Sequence, residues 1–497
     1  MDAAAVHVLV FPWPLQGHIN TFLPFTTALV DAGVHVSFLH TEHNLRRVRC
    51  RAPAPRLRYL SIPDGLRDDD PRSVGGIFAL MDSMGTTGSA AYRALLLSLL
   101  ADGGEFPPVT CVVADGIMSF AIDVAEELGV PALAFRTASA NSFLAYLSVP
   151  RLVELGQTPL PVDEPARGVP GMEGFLRRRD LPRLAPAADG HPREAAETNG
   201  VHPMLLKMAE NIAYCGNARA LVLNTATSLE GSSLVHIRPH MRDVFAIGPL
   251  HAMSGKPSTG GSLWREDDGC MAWLDGHADR SVVYVSLGSL TLISPEEFTE
   301  FLFGLIDTGY AFLWVLRPDM VGPAEKAVLQ DAIRGSAKAR IVDWAPQRDV
   351  LRHPAVGCFL THSGWNSTME GILEGVPMVC WPFFADQHIN SRFVEAVWKT
   401  GLDMKDMCDR ATVKSMVTEA MESSDMRQSV QALAQQVRRD ISEGGSSAAE
   451  FKRLVGFIRE LSATATKNRI RAKTTVLSTT TIKDEDTRMA HQAPIRA

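Results

Sequence analysis

The chain has 497 residues, of which 46% are hydrophobic and 21% charged, and its 38 glycines and 30 prolines follow no period. That length supports roughly two to four domains with full-sized cores, and the composition excludes collagen-like, coiled-coil and wholly disordered chains. A formal net charge of −7 gives no electrostatic reason to bind nucleic acid or an anionic membrane, so small molecules are the expected partners.

The opening stretch, MDAAAVHVLVFPWP, has no basic leader and its apolar run stops at Pro12, which predicts a strand rather than a signal peptide. No window reaches the ~18 apolar residues that cross a bilayer, so the expected location is cytoplasmic. The seven cysteines (Cys50, Cys111, Cys215, Cys270, Cys358, Cys380, Cys408) lack paired spacing, and several lie in apolar runs such as CVVAD and GCFLTH. They predict buried, reduced thiols with neither a disulfide framework nor a zinc site.

Short β-rich runs then alternate with amphipathic stretches, the pattern of parallel sheets covered by helices on both faces. In the first half the predicted strands are 6–11, 34–40, 57–61, 110–115, 131–137 and 220–225; the pattern restarts at 281–288, 311–317, 339–344, 356–362 and 377–382. The expected fold class is therefore α/β, with two Rossmann-like βα domains facing a cleft. Residues 1–250 make the first domain, and HAMSGKPSTGGSLWREDDG (251–269) is a Gly/Ser/Pro-rich linker. Residues 270–463 make the second domain, ending in helices over 411–463. From 464 to 497 the chain is Thr-rich, basic and nearly free of large apolar side chains, which predicts a solvated tail. A monomer is expected.

Ligands of open parallel sheets bind beyond the C-terminal strand ends where strand order reverses, between the first and fourth strands in a 3-2-1-4-5 arrangement. In the first domain that point brings His18, just past the first strand in FPWPLQGHIN, beside Asp115 at the end of the fourth. In the second it brings Gly288-Ser289 beside His362-Ser363-Gly364-Trp365-Asn366-Ser367. This donor-rich run opens a helix whose N–H groups and dipole suit a phosphate or pyrophosphate. Taken alone, Asn366 or Ser367 reads equally well as a plain helix cap. Asp68-Asp69-Asp70 lies in a Pro/Gly-flanked loop away from both points and reads as solvated; no metal site is expected.

Residues 344–387, WAPQRDVLRHPAVGCFLTHSGWNSTMEGILEGVPMVCWPFFADQ, resemble the signature box of plant family-1 UDP-dependent glycosyltransferases at nearly every marked position. FPWPLQGHIN resembles that family's N-terminal His motif, CVVADGIMSF its Asp segment and VVYVSLGSL the opening of its nucleotide domain, so the resemblance spans residues 5–463. It implies a GT-B arrangement of the two domains and a UDP-sugar donor. By that resemblance Trp344 stacks on uracil, Ala345 and Gln347 lie near base and ribose, and Glu370 accepts the ribose hydroxyls. Ser289, His362, Asn366 and Ser367 hold the pyrophosphate without a metal, and Trp365, Asp386 and Gln387 set sugar identity. In the family a Gln at the last position accompanies glucose and a His galactose, so UDP-glucose is the expected co-substrate, with no further cofactor.

The implied chemistry is inverting transfer: His18 takes a proton from the acceptor, and Asp115 fixes the His18 tautomer and steadies its charge. Trp13, Leu15, Met118, Phe120 and Asn141, with the Pro-rich 150–200 region, are the expected walls of an apolar acceptor pocket. A hydroxyl or carboxyl of a small apolar aglycone is the expected acceptor and a β-glucoside the product. The alternative is a UDP-sugar-binding protein, or an epimerase or hydrolase on the same fold, without acceptor transfer.

Overall fold

The computed structural model describes residues 5–48, 55–70, 72, 76–101, 106–157, 159, 162–184, 202–253 and 263–490, with side chains in the last helix described as far as 469 and at 471. Runs such as HVLVF, CVVAD and ALAFR are buried at every position. Helices cover both sheet faces, so these strands are continuously apolar rather than alternating.

In the first sheet the strands are β1 (His7–Phe11), β2 (His35–Thr41), β3 (Leu57–Ile62), β4 (Cys111–Asp115), β5 (Ala132–Arg136), β6 (Leu221–Leu223) and β7 (Val244–Ala246). Their order is β3-β2-β1-β4-β5-β6-β7. The second sheet holds β8 (Val282–Ser286), β9 (Ala311–Val315), β10 (Ala339–Val342), β11 (Val356–Thr361), β12 (Met378–Cys380) and β13 (Gly401–Asp403), in the order β10-β9-β8-β11-β12-β13. The chain is thus a GT-B pair of parallel α/β domains. β7 and β13, which the sequence reading does not include, are three-residue strands at the edge of each sheet. Parallel pairing of Phe11 with Ala114 leaves Asp115 one step beyond the end of β1, and Thr361 pairs with Ser286 at the corresponding place in the second sheet.

The expected C-terminal boundary needs correction. The helix Ser446–Ala490 leaves the second domain and returns to the first, where Leu454, Val455 and Ile458 are buried with Val8, Phe38, Val222 and Phe245. Phe457 packs on Phe245 with ring centroids 5.4 Å apart, and the Arg453 guanidinium sits 3.8 Å above the same ring while pairing with Asp243. The stretch expected as a solvated tail begins inside this helix: Ala465 is buried, and Arg469 donates to the Val109 carbonyl. The sequence from Phe457 to Ala490 contains no Gly or Pro to stop the helix. Residues 491–497 of that stretch lie outside the described residues.

Within the expected linker, Leu250–Met253 is helical on the first domain, and Asp267 binds the second through its N–H to the Trp344 carbonyl (2.9 Å) and its carboxylate to Arg340 (2.9 Å). Residues 254–262 of that linker lie outside the described residues. Cys111, Cys215, Cys270, Cys358 and Cys380 are buried free thiols and Cys408 is half-buried; Cys50 lies outside the described residues. Among the described residues no helix is long and apolar enough to cross a membrane.

If the last helix is part of the first domain, Leu454→Ala removes a fully buried side chain and should destabilise the protein by about 2–5 kcal/mol. Removing residues 472–497 should leave the melting temperature unchanged. Differential scanning calorimetry of both variants checks the pair.

A candidate active site between the domains

A cleft of about 1130 Å³ runs between the C-terminal edges of the two sheets. On one side the helix Gln16–Asp31 starts where β1 ends, carrying His18 in its first turn. His18 Nδ1 lies 2.6 Å from Asp115 Oδ2 and 3.0 Å from Thr137 Oγ1. An ionised carboxylate only accepts, so Nδ1 carries the proton and Nε2 is left to the cleft. Asp115 is fully buried, and its other contacts are the N–H groups of Trp13 (3.3 Å) and Ile117 (3.2 Å). Burial pushes its pKa up, but His18, Arg136 and the Ile117 N–H outweigh this and hold it below the ordinary carboxylate value.

On the other side the helix Trp365–Glu374 begins at Gly364 with no side-chain cap and no acid in its first turn. Its amides therefore open toward the cleft as an anion site. His362 is fenced by two glycines: a Cβ on Gly288 or on Gly364 would fall 2.5 Å from its Nε2. Gly288 also has φ +78°, a left-handed conformation. Burial, with Arg317 nearby, pushes the His362 pKa down to about 4. The imidazole is therefore neutral at pH 7, and what it offers a phosphate is a hydrogen bond rather than a charge. Arg317 is itself buried and pins the Gly288–Thr291 turn by donating to the carbonyls of Gly288 and Thr291.

Trp344, Ala345, Gln347, Ser289, Ser367, Glu370, Asp386 and Gln387 all line the cleft. Gln347 Nε2 donates to Glu370 Oε2 (2.7 Å) and Ser367 Oγ (3.0 Å). Burial raises the Glu370 pKa, partly offset by that bond. The Trp264 and Trp344 rings are near parallel, with centroids 5.9 Å apart. Gln387 Oε1 accepts from the N–H groups of Phe383 and Phe384 (2.8 and 3.1 Å), which leaves its amide nitrogen toward the cavity; Asp386 accepts from Asn390 (2.9 Å).

Several expectations need correction. The Asn366 side chain lines the cleft, but its amide is already engaged: its Nδ2 donates to the Gly17 carbonyl (2.8 Å) and its Oδ1 accepts from the Thr21 hydroxyl (3.0 Å), both in the opposite domain. Only its backbone amide remains for an anion. Trp365 is buried and spends its indole N–H on the Asn224 carbonyl (2.8 Å), so it braces the domains rather than offering that group to a sugar.

On the acceptor side Trp13 and Leu15 line the cleft, whereas Met118, Phe120 and Asn141 do not. Met118 is core, Phe120 packs on Phe11 and Tyr92, and Asn141 is fixed by Glu230 and Ser233. Their places are taken by Ile77, Phe78, Met81, Ile117, Arg136, Tyr146 and Met208. Residues 158, 160, 161 and 185–200 of the Pro-rich region lie outside the described residues. Arg136 and Thr137 were legible in principle, because Arg136 ends β5 and Thr137 follows it. Asp68 and Asp69 are exposed, pairing with Arg46 and Arg67. Among the described residues no group of three or more His, Cys, Asp or Glu side chains converges as a metal site.

The family model described as UDP-glucoronosyl and UDP-glucosyl transferase matches residues 230–440. A myricetin 3-O-rhamnoside 1,2-glucosyltransferase of Crocosmia x crocosmiiflora is 44% identical, over 92% of this chain and 97% of its own length. A 7-deoxyloganetic acid glucosyltransferase of Catharanthus roseus is 41% identical, over 92% and 98%. Among solved structures, Os79 from O. sativa in complex with UDP superposes with a TM-score of 0.75 at 26% identity, covering 91% of this chain and all of its own.

The glycine fence gives a direct test. Gly288→Ala places a methyl group against His362 and strains the turn, so UDP affinity by calorimetry should fall at least about tenfold while the circular dichroism spectrum is retained.

Proposed function

Because this chain belongs to the plant family-1 UDP-dependent glycosyltransferases and moves a glycosyl group from a UDP-sugar to an acceptor, we propose that it transfers glucose from UDP-glucose, with inversion, to a hydroxyl of a small apolar aglycone. One arrangement carries this reading: the His18–Asp115 pair at one helix start faces the uncapped start of the Trp365–Glu374 helix in the other domain.

His18 Nε2 accepts the proton of the acceptor hydroxyl as its oxygen attacks the anomeric carbon. The bond from that carbon to the UDP oxygen breaks, and its electron pair leaves with UDP. Attack opposite the leaving group turns an α-linked glucosyl donor into a β-glucoside. The imidazolium so formed is steadied by Asp115, which already receives its Nδ1–H. Charge on the departing diphosphate meets the backbone amides at the start of the Trp365 helix, Ser289 and the His362 ring. These groups supply the electrophilic assistance for which other transferases use a divalent ion, so the reaction is proposed to be metal-independent. Trp344 offers an indole face for the base, Glu370 carboxylate oxygens for the ribose, and Asp386 with the Gln387 amide the sugar hydroxyl partners.

His18→Ala should lower kcat by about 10²–10⁴-fold and Asp115→Ala by about 10²-fold, with UDP affinity unchanged in both, because base and nucleotide site lie on different domains. Steady-state rates and calorimetry of the two variants check this, and UDP affinity falling in step with the rate would count against it. Turnover should persist in EDTA. The kcat/KM for UDP-glucose should exceed that for UDP-galactose by about tenfold to a hundredfold, since an inverted 4-hydroxyl strands a buried polar partner. Initial rates with the two donors, and the anomeric coupling constant of the product, measure donor choice and stereochemistry.

A further inference from the structure

Two hydrogen-bond donors on the acceptor side of the cleft are buried and unspent. Arg136, the last residue of β5, is 6% exposed and Tyr146 is 3% exposed; both line the cleft. The Nε and Nη1 of Arg136 and the hydroxyl of Tyr146 have no hydrogen-bond partner among the described residues. Asp115 and Asp386 both feel the Arg136 charge, but neither forms an ion pair with it among the described residues. The stem of Arg136 is fitted into place: a Cβ on Gly116 would fall 2.6 Å from its Cδ. Thr137, the next residue, contacts His18, so the guanidinium stands one residue from the group that touches the proposed base.

A buried guanidinium with unmade hydrogen bonds is costly, and the cost grows when an apolar ligand strips away what solvent remains. Its best partner is a planar two-oxygen anion, which meets the guanidinium fork with parallel bonds, and a phenol O–H adds a further donor to the same group. Resting on the proposed function and narrowing its substrate class, we propose that Arg136 and Tyr146 form a carboxylate-binding subsite, and that the preferred acceptor is an apolar scaffold bearing a carboxylate apart from its reactive hydroxyl.

Matched acids and esters test this on the full chain with UDP bound: cinnamate against methyl cinnamate, and 4-hydroxycinnamate and 4-hydroxybenzoate against their methyl esters, with binding followed by calorimetry and transfer by mass spectrometry. The wild type should bind each acid at least about tenfold more tightly than its ester, a charge-assisted preference. Arg136→Gln should bring that ratio close to one, Arg136→Lys should restore part of it, and Tyr146→Phe should reduce it about threefold, with UDP affinity and melting temperature as controls for folding. Acids binding no more tightly than esters to the wild type would overturn the subsite whatever the variants do. So would equal losses for acid and ester in Arg136→Gln, which would make Arg136 a structural charge. If Arg136→Gln instead changed only the choice between UDP-glucuronate and UDP-glucose, the carboxylate would belong to the donor and the acceptor assignment would fail. Because these ratios are read as binding, absence of glucosyl transfer to any acceptor would count against the proposed function alone.

Discussion

The working geometry of the cleft depends on how the start of one helix in each domain is held against the other. Some helix starts in the chain, such as those at Ser294, Asp409 and Ser423, are capped by side chains. The helices beginning at Gln16 and Trp365 have neither a side-chain cap nor an acid in the first turn. Two uncapped N-termini in one cavity repel each other through their partial positive charges. The Asn366 amide joins them with neutral dipoles, donating to Gly17 and accepting from Thr21. The positive field is thus left unspent for a diphosphate, and His18 is registered against the donor helix through its own neighbour in sequence.

A second tie, away from the nucleotide, is ionic and buried. Lys405 contacts both Asp180 and Asp403, and Arg177 reaches Asp180, joining the 177–183 segment of the first domain to the end of β13. Burial raises the Asp403 pKa to about 6, whereas for Asp180 the nearby Lys405 and Arg177 outweigh burial and lower it. Buried ion pairs of this kind add little net stability, because desolvation offsets attraction, but they penalise every misaligned arrangement strongly. The Arg183 carbonyl then accepts from the Ala385 N–H (2.9 Å), next in sequence to Asp386 and Gln387. Acceptor and donor walls are therefore aligned by the same short segment.

Most of the fold was legible because parallel strands covered on both faces leave uninterrupted apolar runs, and the ends of such strands locate a switch point without knowledge of side-chain contacts. His18 and Asp115 follow from that logic alone. What the sequence conceals is competition for a side chain. Trp365 and Asn366 sit where an anion or sugar could claim them, but Asn224, Gly17 and Thr21 lie in a distant part of the chain and claim them first. The acceptor wall failed for a related reason: Met118, Phe120 and Asn141 are near His18 in the topology, but each points into the core or onto Glu230. The last helix was misplaced because its Leu454, Val455 and Ile458 stripe declares an apolar partner without saying which sheet supplies it.

The return of that helix to the first domain means the polypeptide passes between domains twice, once after Met253 and once between Ile441 and Ser446. The second passage is anchored on the first domain: the Ser447 hydroxyl donates to the Gly248 carbonyl at 2.6 Å, and Asp440 binds both Ser446 and the Ser228 N–H. The same geometry makes the molecule modular in an unobvious way. A donor domain exchanged between relatives must be excised at both passages, with everything after Ser446 left on the acceptor half; a chimera joined at a single point would carry a mismatched helix onto the wrong sheet.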